Sequence, residues 1–353
     1  MDSVTTVAIE DASSATEEGN GRTPTTDIIV GGAMMVLSIM CGLAYSAILT
    51  IIYRDKELFK LPSYKIMFTL GIYDIIQLFP HFMTGIFTIT QTTFGYSFGK
   101  YMGSIATPGY VGYAVLTIIL SINRFIQVAF PRYDPVLFST KTVYAWLSVS
   151  IFISACFSIA LASPYATIIY FPDWYSWDYD RDNYKYSQVV QDIEEFIEVG
   201  GIFVSGFLYL IIVILLCRTR QRFMASKKSY AEVKVLIQAF VVTAYCSVLN
   251  ILWHNYQVSR TRLVFYYIAM IKVLLPQNLW SYMALNFMWI FNSGIYPLIY
   301  FIVNGTIRKR LQAAQATTVS MFVRPKKSSI SKETNLSKAG EKTKINVFVT
   351  SIA

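Results

Sequence analysis

Residues 101–127, YMGSIATPGYVGYAVLTIILSINRFIQ, decide the fold. The run carries no charge before Arg124 and is long enough to cross the hydrocarbon of a bilayer as one helix. An arginine closing such a run is costly in a bilayer unless it is put to use. Working outward, six more stretches of the same kind appear: Ile28–Tyr53, Tyr64–Thr90, Val143–Tyr170, Ile197–Cys217, Val233–Trp253 and Trp280–Val303. The chain is 54% hydrophobic and 14% charged, with a mean hydropathy of +0.46. That is too apolar for a soluble domain of this size. The prediction is an all-α membrane protein, a seven-transmembrane helix bundle.

Basic residues set the expected orientation, because cytoplasmic loops near spans accumulate them. With the N-terminus outside and the C-terminus inside, 23 of the 30 lysines and arginines fall on the inner side. The net charge of +9 then meets an anionic leaflet, and nothing points to nucleic acid. Residues 1–27 hold six acids and Arg22 with no apolar core, which predicts a disordered acidic extracellular tail and no cleavable signal. Residues 28–303 form the membrane domain. Residues 304–315 are expected as a short amphipathic helix on the membrane surface, with Ile307 and Leu311 four apart around Arg308, Lys309 and Arg310. Residues 316–353, rich in Ser, Thr and Lys, are expected to be a disordered cytoplasmic tail. Leu263–Leu275 is apolar but too short to span, and reads as an interfacial outer segment or an extension of a span.

Cys41, Cys156, Cys217 and Cys246 all lie in or at the ends of spans, so no outer disulfide framework is expected. His81 and His254 have no ligand-type spacing, so no metal is predicted, and no cofactor either. An intramembrane enzyme would need paired carboxylates, a Ser–His pair or a histidine cluster, and none is evident. A secondary transporter or channel is the alternative class. A transporter should show an internal repeat or more polar groups at mid-membrane.

Asp74 is the acid nearest the middle of any predicted span. Such a carboxyl either takes part in function or serves as a protonated packing residue. Its candidate partners are on the seventh span. There Asn292 and Tyr296 share a helical face, Ser293 stands beside them, and Pro297 removes a backbone donor.

The pattern resembles the rhodopsin-like G-protein-coupled receptors. It has a Leu-x-x-x-Asp ending at Asp74, Arg124 closing the third helix with Pro131 seven residues on, Trp146 in the fourth, and Asn292-Ser293 followed by Pro297 and Tyr300 in the seventh. A closer resemblance is to the nematode serpentine chemoreceptors, class T. It is carried by Asp74–Leu78, Gly85–Ile89, Leu120–Arg124, Ile299–Phe301 and Asn304–Arg308.

This resemblance implies a plasma-membrane receptor that binds a small, odorant-like molecule in the outer half of the bundle and activates a heterotrimeric G-protein. Arg124, Asn123 and Pro131 would form the G-protein contact, with Arg218 and Arg220 of the third inner loop. Those two also fit plain positive-inside placement. Asp74, Asn292, Ser293, Tyr296, Pro297 and Tyr300 would form the activation switch, with no sodium ion assigned. His81, Phe82, Ala106, Tyr110, Tyr113 and Trp280 are candidates to line the ligand pocket, and aromatic core packing accounts for them equally well.

Departures from the wider pattern are specific. Asn123 stands where an acid usually restrains the arginine. Ala106 stands where amine receptors carry an aspartate. Gly99 replaces the third-helix cysteine that tethers the second outer loop, so Phe171–Ile193 must be held another way. That loop is acidic, and its Asp178-x-Asp180-x-Asp182 lacks the glycine and glutamate of a calcium loop. It reads as a solvated lid.

Overall fold

The computed structural model describes residues 22–223, 240–241, 243–253, 278–303, 305 and 307–312. Most of the N-terminal tail, Leu263–Leu275, Lys227 and Lys228, the beginning of the sixth predicted span and the C-terminal tail lie outside the described residues.

Among the described residues, six helices are long and apolar enough to cross a membrane: α1 (Pro24–Arg54), α3 (Pro62–Thr90), α4 (Tyr96–Ala129), α6 (Thr140–Ala162), α7 (Ser187–Phe223) and α9 (Leu279–Val303). The described part of the sixth predicted span is the shorter apolar helix α8 (Thr243–Trp253). Short helices α2 (Lys56–Lys60) and α5 (Asp134–Leu137) sit in connections. Residues 307–312 are also helical, with Ile307 buried and Lys309 and Arg310 exposed.

Local chemistry fixes the helix starts. Thr23 caps α1 by accepting the Thr26 N–H at 3.1 Å, and Pro24 occupies the first turn, where its missing donor costs nothing. The helix therefore begins four residues before the expected boundary and takes in Asp27. Ser139 caps α6 in the same way, and Asp55 caps α2.

α4 is the central helix, packed against α3, α6 and α7, while α1 lies against α3 and α9. Large apolar side chains such as Val36, Met40, Phe152, Ile159, Phe203 and Phe207 stay exposed on the outer helix faces. In a membrane bundle these faces meet lipid. Small residues let the helices approach each other: a methyl on Gly31 would lie 2.5 Å from the Gly85 carbonyl oxygen.

The α4–α6 seam is a ladder of serines. Ser150, Ser154 and Ser158, one helical turn apart, donate to the carbonyls of Gly112, Pro108 and Ser104 at 2.9, 2.7 and 2.7 Å. Pro108 has no N–H to offer the Ser104 carbonyl, so Ser158 replaces the missing helical bond.

The fourth predicted span ends early. α6 stops at Ala162, and Ile168–Phe171 forms strand β1, antiparallel to β2 (Ser176–Tyr179) across a 3-10 turn at Pro172–Trp174. This hairpin lies over one end of the bundle, the end at which α1 begins, and Arg124 closes α4 toward the other.

Candidate functional site

The hairpin is held without a disulfide. Gly99 and Gly103 present one face of α4 to β1: a methyl at Gly99 would lie 3.1 Å from Ile169, and one at Gly103 would overlap the Ile168 carbonyl oxygen. Trp177, fully buried, donates to Thr84 at 3.1 Å, and the Tyr170 and Thr88 hydroxyls pair at 2.6 Å. Asn286 of α9 donates to the Tyr175 carbonyl at 3.1 Å.

Arg22 pairs with Asp27 at 3.1 Å and with Asp173 at 2.7 Å, which ties the start of α1 to the hairpin turn. The loop is thus packed rather than a solvated lid. Asp180 is buried, and burial alone would raise its carboxyl. Hydrogen bonds from Asn183 and Tyr96 outweigh that and hold it below its ordinary value.

Two narrow cavities lie between α4, α7 and α8, each with room for about one water molecule, and Ile168 of β1 borders one of them. Tyr110, Glu198 and Asn250 border both. Of the pocket residues expected from sequence, Tyr110 and Tyr113 line this space. The other four do not. His81 is buried edge-on against Trp289, with ring centroids 4.8 Å apart, and Ala106 is buried in the core. Phe82 is half-buried and Trp280 is 43% exposed.

Glu198, Asn250, Trp253 and Trp289 escape a reading based on depth and aromatic content. Glu194 and Glu198 stand four apart at the start of α7, so their shared helical face was the available signal.

From the cavities a column of paired groups runs toward Arg124. The Tyr110 hydroxyl donates to Asn250 at 3.1 Å, and its ring stacks on Tyr113 at 5.7 Å. The Tyr113 hydroxyl and the Asn292 amide oxygen each lie 3.3 Å from the Cys246 sulfur. Tyr113 then meets Tyr296 edge-on at 6.1 Å, and Tyr296 meets Tyr300 at 5.6 Å.

Asp74 is buried beside this column, with the hydroxyls of Tyr45 and Ser293 next to it. Among the described residues, the Tyr300 hydroxyl and the Asn292 amide nitrogen make no hydrogen bond in this arrangement. The expected switch residues of α3 and α9 therefore share one neighbourhood. Pro297 lies among them and withholds a donor from the Ser293 carbonyl.

At the far end of α4, Asn123 is buried. It accepts from Ser63 at 2.8 Å and reaches Asp134 at 3.4 Å. Arg124 donates to Gln127 at 3.1 Å. Asp134 on α5 is hydrogen-bonded by Gln127 and lies in the field of Arg124, yet burial dominates and raises its carboxyl above the ordinary value. An acid absent at position 123 is thus supplied from the connecting loop. Pro131 is exposed in that loop and Arg218 is exposed on α7, while the Arg220 side chain lies outside the described residues.

Packed apolar helices, a polar column between a capped cavity and a terminal arginine, and seven hydrophobic stretches define a seven-helix receptor-type membrane protein. Squid rhodopsin has the same fold: the TM-score is 0.65 at 14% identity, over 88% of this chain and 91% of that one. The family described as serpentine type 7TM GPCR chemoreceptor Srt matches residues 11–322, and the chain belongs to that family. Among curated proteins none matches the sequence. The chain is accordingly a multi-pass G-protein-coupled receptor of a chemoreceptor family, which is a family of receptors and not of enzymes.

Proposed function

We propose that this receptor sits in the plasma membrane with its hairpin end outside and its Arg124 end inside. It binds a small ligand in the cavities bordered by Tyr110 and Asn250 and activates a heterotrimeric G-protein. The observation that carries this reading is the column itself. A ligand that displaces the Tyr110–Asn250 bond alters the packing of Tyr113, and through Cys246 that of Asn292, beside the buried polar groups around Asp74.

Those buried groups have alternative partners within reach, so a shift of α9 at Pro297 re-pairs them at little cost. A ligand moves such an equilibrium only by binding one arrangement better than the other. Movement of α4 and α5 then breaks the Asn123–Asp134 and Arg124–Gln127 contacts and releases Arg124, with Pro131 and Arg218 exposed nearby to complete the G-protein surface.

The test is a ligand screen in cells with a G-protein readout, run on the native chain and on Arg124→Ala. Ligand-dependent signalling that disappears in Arg124→Ala, with surface expression intact, supports the reading. Transport or ionic current that survives Arg124→Ala in cells lacking G-proteins would overturn it in favour of a transporter or channel.

A further inference from the structure

Thr84, Thr88 and Thr117, all buried in the bundle, turn their hydroxyls back onto their own helices. Each donates to the carbonyl one turn earlier, at 2.9, 2.8 and 3.0 Å. Without water, that is the usual way to satisfy a hydroxyl inside a membrane helix. Thr107 on α4 does not follow it. The residue is 1% exposed, and its hydroxyl makes no hydrogen bond among the described residues. It borders the cavity that Tyr110, Asn250, Trp253 and Trp289 also border. An unpaired hydroxyl in such a place costs stability that a valine of nearly the same shape would not lose.

The rest of the wall narrows what can pair with it. Ile168 and Leu249 are apolar, and the Trp289 ring lies 5.2 Å from that of Trp253 and 6.1 Å from that of Tyr110. Among the described residues no lysine or arginine borders the cavity, so an anion finds no counter-charge there. The two carboxyls at its edge are already engaged. Glu194 accepts the Tyr179 hydroxyl of β2, and Glu198 has partners of its own, so neither is left over as the counter-charge of a cation. Room for about one water molecule is also room for one carbonyl or hydroxyl oxygen.

We infer that this cavity recognises small uncharged molecules that carry a carbonyl or hydroxyl oxygen on an apolar body, the oxygen pairing with Thr107. The body lies against Ile168, Leu249 and the tryptophan rings. A body larger than the cavity pushes Tyr110 away from Asn250, and the ligand oxygen then takes up the Asn250 amide that Tyr110 releases. Recognition and the first displacement in the polar column are thus one event. The inference rests on the receptor reading for its signalling consequence, whereas the pairing at Thr107 is a matter of binding alone.

The experiment uses the purified full chain in lipid nanodiscs, with tryptophan fluorescence as the readout and empty nanodiscs subtracted. The probes are small aromatic and aliphatic ketones, esters and alcohols, each paired with a hydrocarbon of the same shape, and the alcohols also with an amine. Acetophenone is set against α-methylstyrene, and α-methylbenzyl alcohol against cumene and α-methylbenzylamine. Several oxygenated probes are expected to bind, with their hydrocarbon and amine counterparts roughly tenfold weaker. Thr107→Val should weaken the oxygenated probes roughly three- to tenfold and leave the hydrocarbons unaffected. It should also hold the melting temperature of the ligand-free protein at or above that of the native chain. Thr107→Ser keeps a hydroxyl and should keep the preference for oxygen. If Thr107→Val does not fold, Thr107→Ala takes its place in the binding measurement, with the same loss expected.

No oxygenated probe bound up to millimolar concentration, hydrocarbons or amines bound as tightly as their oxygenated counterparts, affinity indifferent to loss of the hydroxyl, or a folded valine variant that melts below the native chain would each overturn the inference. Signalling through Arg124 in response to compounds of another class overturns it too, but leaves the receptor reading standing. Oxygenated probes that bind through Thr107 yet never produce G-protein turnover in cells sink the receptor reading and leave the binding site standing.

Discussion

Arg124 lies in the electrostatic field of Asp134, ten positions along the chain. Asn123 cannot form the ion pair its position usually supplies, but it holds Ser63 and Asp134 together, and Asp134 brings a carboxylate into the field of the arginine. Such a pair near a surface is worth up to about 1 kcal/mol, or about fivefold in a two-state equilibrium. Asp134→Asn is therefore expected to raise ligand-independent G-protein activation about two- to fivefold. Basal activity unchanged at equal surface expression would show that Asp134 exerts no restraint. Asn123 was legible from its place before Arg124, whereas the part played by Asp134 depends on how the loop folds back.

Among the elements, the hairpin shows how packing substitutes for a covalent tether. β1 lies so close to α4 that any side chain at Gly103 meets backbone and not a movable side chain. Gly103→Ala is expected to destabilise the folded receptor by about 1–3 kcal/mol, read as a lower melting temperature. An unchanged melting temperature would mean that the hairpin does not press on α4.

Asp180 gives the same element a pH dependence. A carboxyl depressed in the folded state contributes stability above its unfolded-state pKa and loses it as the pH falls through the folded-state value. Acidification below the ordinary carboxylate range should thus lower the melting temperature of the native chain more than that of Asp180→Asn. Parallel acid profiles for the two would remove Asp180 from the account. β1 itself was hidden in the sequence. Residues 163–170 continue the apolar run of the fourth span, and hydropathy does not distinguish a buried strand from the end of a helix.

For the whole molecule, the distribution of lysine and arginine is the argument for orientation. Asn304-Gly305-Thr306 and Asn335-Leu336-Ser337 are glycosylation sequons on the side assigned to the cytoplasm. Neither should carry a glycan in cells. The substitution Asp11→Asn completes a sequon with Ala12 and Ser13 in the outer tail, and it should add one. Loss of mass on endoglycosidase treatment of the native chain would reverse the orientation. The same large-scale view explains how a chain so rich in aromatic residues is stabilised: its outer faces are solvated by lipid, and its interior is satisfied largely by hydroxyls, amides and rings.

By itself the sequence determined the bundle, the place of Arg124 at the end of the third span, and the shared face of Asn292 and Tyr296 on the seventh. Each of these depends on long apolar runs or on helical spacing, which are local properties. Only the tertiary structure decided which side chains border the cavity, because Glu198, Asn250 and Trp289 come from three helices whose rotation about their axes no local pattern specifies. It also decided that the acidic loop is packed and that Asp134 lies near Arg124. Those contacts join residues far apart in the chain, and their stability comes from desolvating groups that only the fold brings together.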